Sequence, residues 1–193
     1  MNNNELKQAI TEDMKTLKNL DLDIIPAREY YTSLFKLFIS WVWKLGLVAF
    51  VAILYASVVN PNHHGIAKES ILSLVTNSAI IAFVMAVGGV ILLGSAIMKY
   101  YLINYHLKNR LKTGHLLVNK LRQFAWIFFS IFTFFCLLFA IYSDSADIFF
   151  MLVFAFIISA LITYMAVSME INRVGVSTIF TAVSQFFNKD KSI

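Results

Sequence analysis

Few side chains in this sequence are placed to do chemistry, and those few lie far apart. Lys44 is the one charged residue set well into an apolar stretch, and an ionisable group at membrane depth is a functional candidate by default. Trp41 and Trp43 beside it are residues that favour the bilayer interface. The simplest expectation is therefore a lysine whose alkyl stem carries its ammonium towards the headgroups, with a role in pairing or gating as the alternative. His63 and His64 are adjacent in the stretch Asn60-Pro61-Asn62-His63-His64-Gly65. A closed zinc site takes about four ligands, and no others stand nearby, so they read as loop histidines. Asp144 and Asp147 have the spacing of a carboxylate pair, but Asp147 is better explained as a cap for the helix that follows. His106 and His115 flank a turn, and the sequence shows no partner for either. The single cysteine, Cys136, can form neither an internal disulfide nor a cysteine-based zinc site. No nucleophile motif, phosphate-cradling glycine pattern or HExxH is present. The expectation is a protein that is not an enzyme and uses no cofactor or metal.

The elements that must position these residues are dictated by where charge is missing. The chain has 193 residues, 59% of them hydrophobic and only 14% charged, with a mean hydropathy of +0.73. Soluble domains average roughly 45–50% apolar and about 25% charged residues. Uncharged runs of 23, 29, 21 and 22 residues separate Lys44 from Lys68, Glu69 from Lys99, Arg122 from Asp144 and Asp147 from Glu170. A hydrocarbon core of about 30 Å needs about 20 apolar residues in a helix. The pattern predicts an all-α integral membrane protein, a four-helix bundle with spans near 37–59, 71–98, 124–143 and 147–169. The second is long for one crossing and should tilt or protrude.

Orientation follows from Lys and Arg alone. Lys7, Lys15, Lys18, Arg28 and Lys36 precede the first span, and Lys99, Lys108, Arg110, Lys112, Lys120 and Arg122 join the second to the third. Arg173, Lys189 and Lys191 follow the fourth, whereas the opposite side carries Lys68 alone. Both termini and the 99–123 connection should be cytoplasmic. The first 30 residues lack the apolar core and small-residue site of a cleavable signal, so the first span is expected to act as the insertion signal. A net charge of +5, concentrated on the inner side, points to anionic lipid headgroups as partners and not to nucleic acid, for which no reading element is evident.

Three segments outside the spans carry pattern of their own. Leu6, Ile10, Met14 and Leu17 follow a 3–4 spacing, predicting an amphipathic helix before Pro26. One of Asn2, Asn3 and Asn4 would cap it. It is expected to lie on the membrane or pack on the basic connection, with docking to a cytoplasmic partner as the alternative; its acids and those just after it, Glu5, Glu12, Asp13, Asp21, Asp23 and Glu29, favour the connection or a partner over anionic lipid. The 99–123 segment continues both neighbouring spans in helical register, so an inner helical hairpin is expected. Gly114 is its turn residue, because glycine tolerates positive φ. Lys108, Arg110, Lys112, Lys120 and Arg122 form its candidate basic surface. Residues 174–187 read as a weakly amphipathic interfacial tail.

Within the spans, Ser78, Ala82 and Ala86, with Gly88 and Gly89 after them, recur on the second, and Ala155, Ser159 and Thr163 on the fourth. Small residues at that spacing let membrane helices approach closely. They are expected to pack spans two and four together, with a face for a membrane-protein partner or a second copy as the alternative. The third span, with Phe124, Trp126, Phe128, Phe129, Phe132, Phe134, Phe135 and Phe139, is aromatic on nearly every side and should largely face lipid.

The layout of four spans, a charged N-terminal helix ahead of Pro26, small outer loops and a basic inner hairpin resembles small inner-membrane proteins by which bacterial mobile elements protect their host. The stretch Met14-Lys15-Thr16-Leu17-Lys18 through Asp23-Ile24-Ile25-Pro26 is similar to the opening of F-type entry-exclusion proteins of conjugative plasmids. That resemblance implies a non-enzymatic protein of the recipient's inner membrane that contacts a mating-pair component and blocks redundant DNA transfer. It assigns no individual residues. A bacteriocin immunity protein, a homo-oligomeric channel or toxin-like effector, and an accessory subunit of a larger membrane complex are the alternatives.

Overall fold

The computed structural model describes residues 8–9, 11–13, 15–16, 25–59, 71–143 and 147–174, with side chains up to residue 170. The 60–70 loop with its two histidines, Asp144 and the tail beyond residue 174 lie outside the described residues. So do Asn2, Asn3, Asn4, Leu6, Ile10, Met14 and Leu17 of the N-terminal segment.

Among the described residues five long helices follow one another: α1 (Ala27–Val59), α2 (Ile71–Leu92), α3 (Gly94–His106), α4 (Gly114–Tyr142) and α5 (Ile148–Val174). Four segments, Ala27–Val59, Ile71–Leu92, Gly114–Tyr142 and Ile148–Glu170, are long and apolar enough to cross a membrane. This is the architecture of a multi-pass membrane protein. Pro26 immediately precedes α1, and its carbonyl accepts from the Tyr30 amide at 3.1 Å. Proline suits that place because its fixed φ is already helical and its missing N–H is not needed there. With 33 residues, at about 1.5 Å per residue, α1 runs well past one apolar thickness, and its first ten residues, Tyr30 and Tyr31 among them, extend beyond the predicted span.

The predicted second span is divided at Leu93 into α2 and α3, where ψ opens to −3 while the residue stays in the right-handed helical region. The backbone ladder nevertheless continues across it, Leu93 N to Gly89 O and Ile97 N to Leu93 O at 3.0 Å each. α3 then carries the chain out to His106. At the other end of the bundle, the Met151 amide bonds the Asp147 carbonyl at 3.1 Å, which puts Asp147 at the N-terminal boundary of α5, where capping was expected.

Around the bundle the order is α2, α1, α4, α5. α1 and α2 form the most extensive pair, α4 and α5 the next, and α1 joins the two pairs through α4. The small residues explain the first contact. Ser78, Ala82, Ala86, Gly89 and Val90 are the buried face of α2, and Leu45, Ala49, Ala52, Ile53 and Ala56 that of α1. A Cβ added to Gly46 would stand 3.4 Å from that of Ala86. In lipid, where apolar burial drives little, such close backbone approach gains dispersion contacts for both helices.

Two expectations are corrected here. The small faces of α2 and α5 do not chiefly meet one another; the α2 face is used on α1, and α2 and α5 touch only sparingly. The contact they do make is Phe156 over Gly89, whose added Cβ would lie 3.0 Å from the ring. α4 is also less lipid-facing than its aromatic content implied. Phe124, Phe128, Phe132, Cys136 and Ala140 form a buried stripe at four-residue steps, while Trp126 and Phe134 are exposed. Phe156 stands edge-on to both Phe128 and Phe132, with centroids at 5.5 and 6.2 Å. Such edge-to-face pairs add about 0.5–1.5 kcal/mol beyond burial. Phe129, Phe135 and Phe139 pack partly buried against the same core. A helix aromatic all round still buries the side its neighbours offer.

Candidate functional site at the basic end of the bundle

Four side-chain hydrogen bonds gather where α3 turns into α4. The chain leaves α3 through Leu107, whose amide bonds Ile103 O at 3.0 Å, and Leu111 repeats the step onto Leu107 O at 3.1 Å. Leu107, Leu111 and Leu117 are buried, as is Ala9 of the N-terminal segment, so this end has a small apolar core of its own. Thr113 is the N-cap of α4, and its side chain makes no capping bond to its own helix. The orphan amides of a helix start need an acceptor, and one arrives from 99 and 100 residues away.

That acceptor is Asp13. Its Oδ1 accepts from the Lys112 amide at 2.8 Å. Its Oδ2 accepts from the Thr113 amide at 2.8 Å and from Thr113 Oγ1 at 2.6 Å. Asp13 is 2% exposed and Thr113 3%. A carboxylate at a helix N-terminus is favoured both by the amides and by the positive end of the helix dipole. Both oxygens of Asp13 are thus spent on backbone, which makes it a fastener between two distant segments. Beside it, Lys112 Nζ donates to Glu12 Oε2. Glu12 holds the Lys112 ammonium above its usual value, first through that hydrogen bond and then through its charge, with Asp13 adding to it. Because Lys112 is raised in the folded state, the stabilisation it gains is present at neutral pH and is lost as pH rises through that raised value. Both side chains are more than half exposed, so this bond adds direction more than stability.

The remaining predicted basic residues divide. Lys120 Nζ pairs with Glu170 Oε1 at 2.7 Å, tying α4 to α5. Arg110, Arg122 and Lys112 are exposed, and Lys108 is half-buried. Lys112 and Lys120 are therefore engaged within the chain. His106 is buried with its ring edge-on to Tyr105 at 5.1 Å, and His115 is exposed. Tyr30 of α1 meets Tyr101 of α3 edge-on at 5.5 Å, closing this end on the α1 side.

The other predicted residues lie deeper. Lys44 places its ammonium 5.1 Å from the Trp41 ring and 5.5 Å from the Trp126 ring. Cation–π contact of this kind is worth about 0.5–2 kcal/mol depending on desolvation. The sequence showed Trp41 but not that Trp126, from α4, completes a two-indole clamp. Ala155 and Ser159 are fully buried, and the Ser159 hydroxyl bonds its own helix at Ala155 O, as Thr133 does at Phe129 O and Thr76 at Leu72 O. The Thr163 hydroxyl is covered and has no hydrogen-bond partner among the described residues. Among the described residues, no group of three or more His, Cys, Asp and Glu is placed to hold a metal ion.

Sequence reasoning matched acidic N-terminal residues to the basic connection, but not the specific fastener. Six acids were available, and only the fold reveals that Asp13, one turn from Ala9 on a buried stripe, is the one aimed at the start of α4. Comparison with protein-family models, with curated proteins and with solved structures finds no match to this chain.

Proposed function

We propose that this chain is a non-enzymatic interaction protein of a bacterial inner membrane, with both termini and the 107–113 turn on the cytoplasmic side, acting in entry exclusion against redundant conjugative transfer. The observation that supports a contact role is the composite platform at the basic end. There the N-terminal segment is fastened onto the α3–α4 turn by Asp13, and Arg110 of the turn and Arg122 of α4 are exposed. A surface assembled from segments about 100 residues apart is suited to being recognised as a shape. The distribution of Lys and Arg supports placing that surface inside the cell. The packed interior, alkyl and aromatic along α1, α2, α4 and α5, supports action through faces and not through a central path. The resemblance of residues 14–26 to F-type exclusion proteins supports the specific role.

The test is conjugation into recipient cells expressing the full chain. Transfer from donors carrying the matching F-type system is expected to fall at least tenfold, and Asp13→Ala, inserted at equal level, should restore most of it. Unchanged transfer into cells with confirmed membrane insertion of the wild-type chain would sink the exclusion role.

A further inference from the structure

Because α2 and α5 touch sparingly, the bundle is open between them. The opening is a cleft of about 370 Å³ floored by Leu45 and Ala49 of α1 and Phe132 of α4. Its walls are Gly88 and Leu92 from α2 and Val153 and Phe156 from α5. A Cβ added to Gly88 would meet nothing within 4 Å, and Leu92 is 73% exposed, so this wall faces open space at the depth of the spans. A slot of that kind in a bilayer takes either hydrocarbon chains or a helix. What stands at the end of the cleft separates the two.

The cleft also has a charged end. Met85, Gly88, Leu92 and Lys99 fall on one stripe at steps of three, four and seven residues. The backbone ladder unbroken through Leu93 carries that stripe from α2 into α3. Lys99 is exposed and stands about 10 Å beyond Leu92 along the helix, at about 1.5 Å per residue. That is where the headgroup of a lipid whose chain fills the cleft would sit. Basic positions between helices at this level suit anionic headgroups.

We propose that the α2–α5 cleft is a binding site for an anionic phospholipid, with an acyl chain against Gly88 and Phe156 and the phosphate at Lys99. It rests on the multi-pass architecture alone, not on orientation or exclusion, so it can fail or stand without them.

The experiment is native mass spectrometry of the full chain, purified in detergent and offered phosphatidylglycerol or phosphatidylcholine of identical acyl chains. The wild-type chain is expected to retain phosphatidylglycerol in preference. Gly88→Leu fills the cleft from a position with room for the side chain, and Leu92→Trp does so from an exposed one as a second variant. Both should lose bound lipid of either kind while melting as wild type does. Lys99→Gln should keep lipid but lose about fivefold in preference for the anionic headgroup, the worth of one lysine at an anionic surface. Lipid retention by either filled variant equal to wild type would overturn the site. So would a headgroup preference unchanged in Lys99→Gln, or a dimer without lipid that Gly88→Leu abolishes, which would assign the cleft to a second copy.

Discussion

Gly114→Ala is expected to lower the stability of the folded chain by roughly 3 kcal/mol or more, at the upper end of single-substitution effects, and to unfasten the N-terminal segment as well. The reason is steric. A Cβ at position 114 would lie 2.2 Å from the carbonyl oxygen of Leu107 and 2.7 Å from that of Lys108. Both are backbone atoms and cannot rotate away. The Leu107 carbonyl is also held, since it accepts from the Leu111 amide at 3.1 Å, and the Gly114 amide donates to Leu111 O at 3.1 Å. Relief therefore means opening the turn. The amides of Lys112 and Thr113, which Asp13 grips, would move with it. Thermal unfolding in detergent and protease sensitivity before Pro26 should both change. A Gly114→Ala chain that melts like wild type would refute the close approach.

The second large effect falls on the fastener. Asp13→Ala removes the acceptor for two amides and one hydroxyl at the buried start of α4. Hydrogen bonds to a charged group contribute about 1.5–3 kcal/mol each, and stranded buried donors cost more. The three share one carboxylate and will not add independently. A loss of about 3 kcal/mol in the docking of the N-terminal segment is the expected size. Thr113→Val removes only the hydroxyl and should cost about 1 kcal/mol. Hydrogen exchange at residues 112–117 and proteolysis before Pro26 read this directly, and they should rise in Asp13→Ala while the spans stay protected. Equal protection in wild type and Asp13→Ala would show that Asp13 does not hold the segment.

The number of spans was legible in the sequence because apolar length is set by bilayer thickness and interrupted by charge. Their limits were less so. Nothing in the residues before Leu37 forbids helix after Pro26, so α1 begins ten residues early; in the other direction, the second span is divided at Leu93 with no proline to announce it. Which helix the α2 small face would meet was not legible, because Ser78, Ala82 and Ala86 permit close approach without naming the neighbour. Ala49, Ala52 and Ala56 on α1 carried the same signal and are the residues it was used on. Gly114 was assigned to the turn for its tolerance of positive φ, yet its φ is not in the left-handed region. What the position requires is the absence of a side chain. Asp13 and Trp126 were invisible for a shared reason. Each completes its contact with a segment far away in sequence, the start of α4 for one and Lys44 for the other.

The central claim is that the chain crosses a bilayer repeatedly and gathers its N-terminal segment and the α3–α4 turn at one face, which we propose lies inside the cell. It is tested most directly by topology reporters fused after Asn62 and after Gly114. The fusion after Asn62 should report the outside and the fusion after Gly114 the inside, because α2 and α3 together carry the chain across once. Reporters on the same side, or on reversed sides, would contradict it.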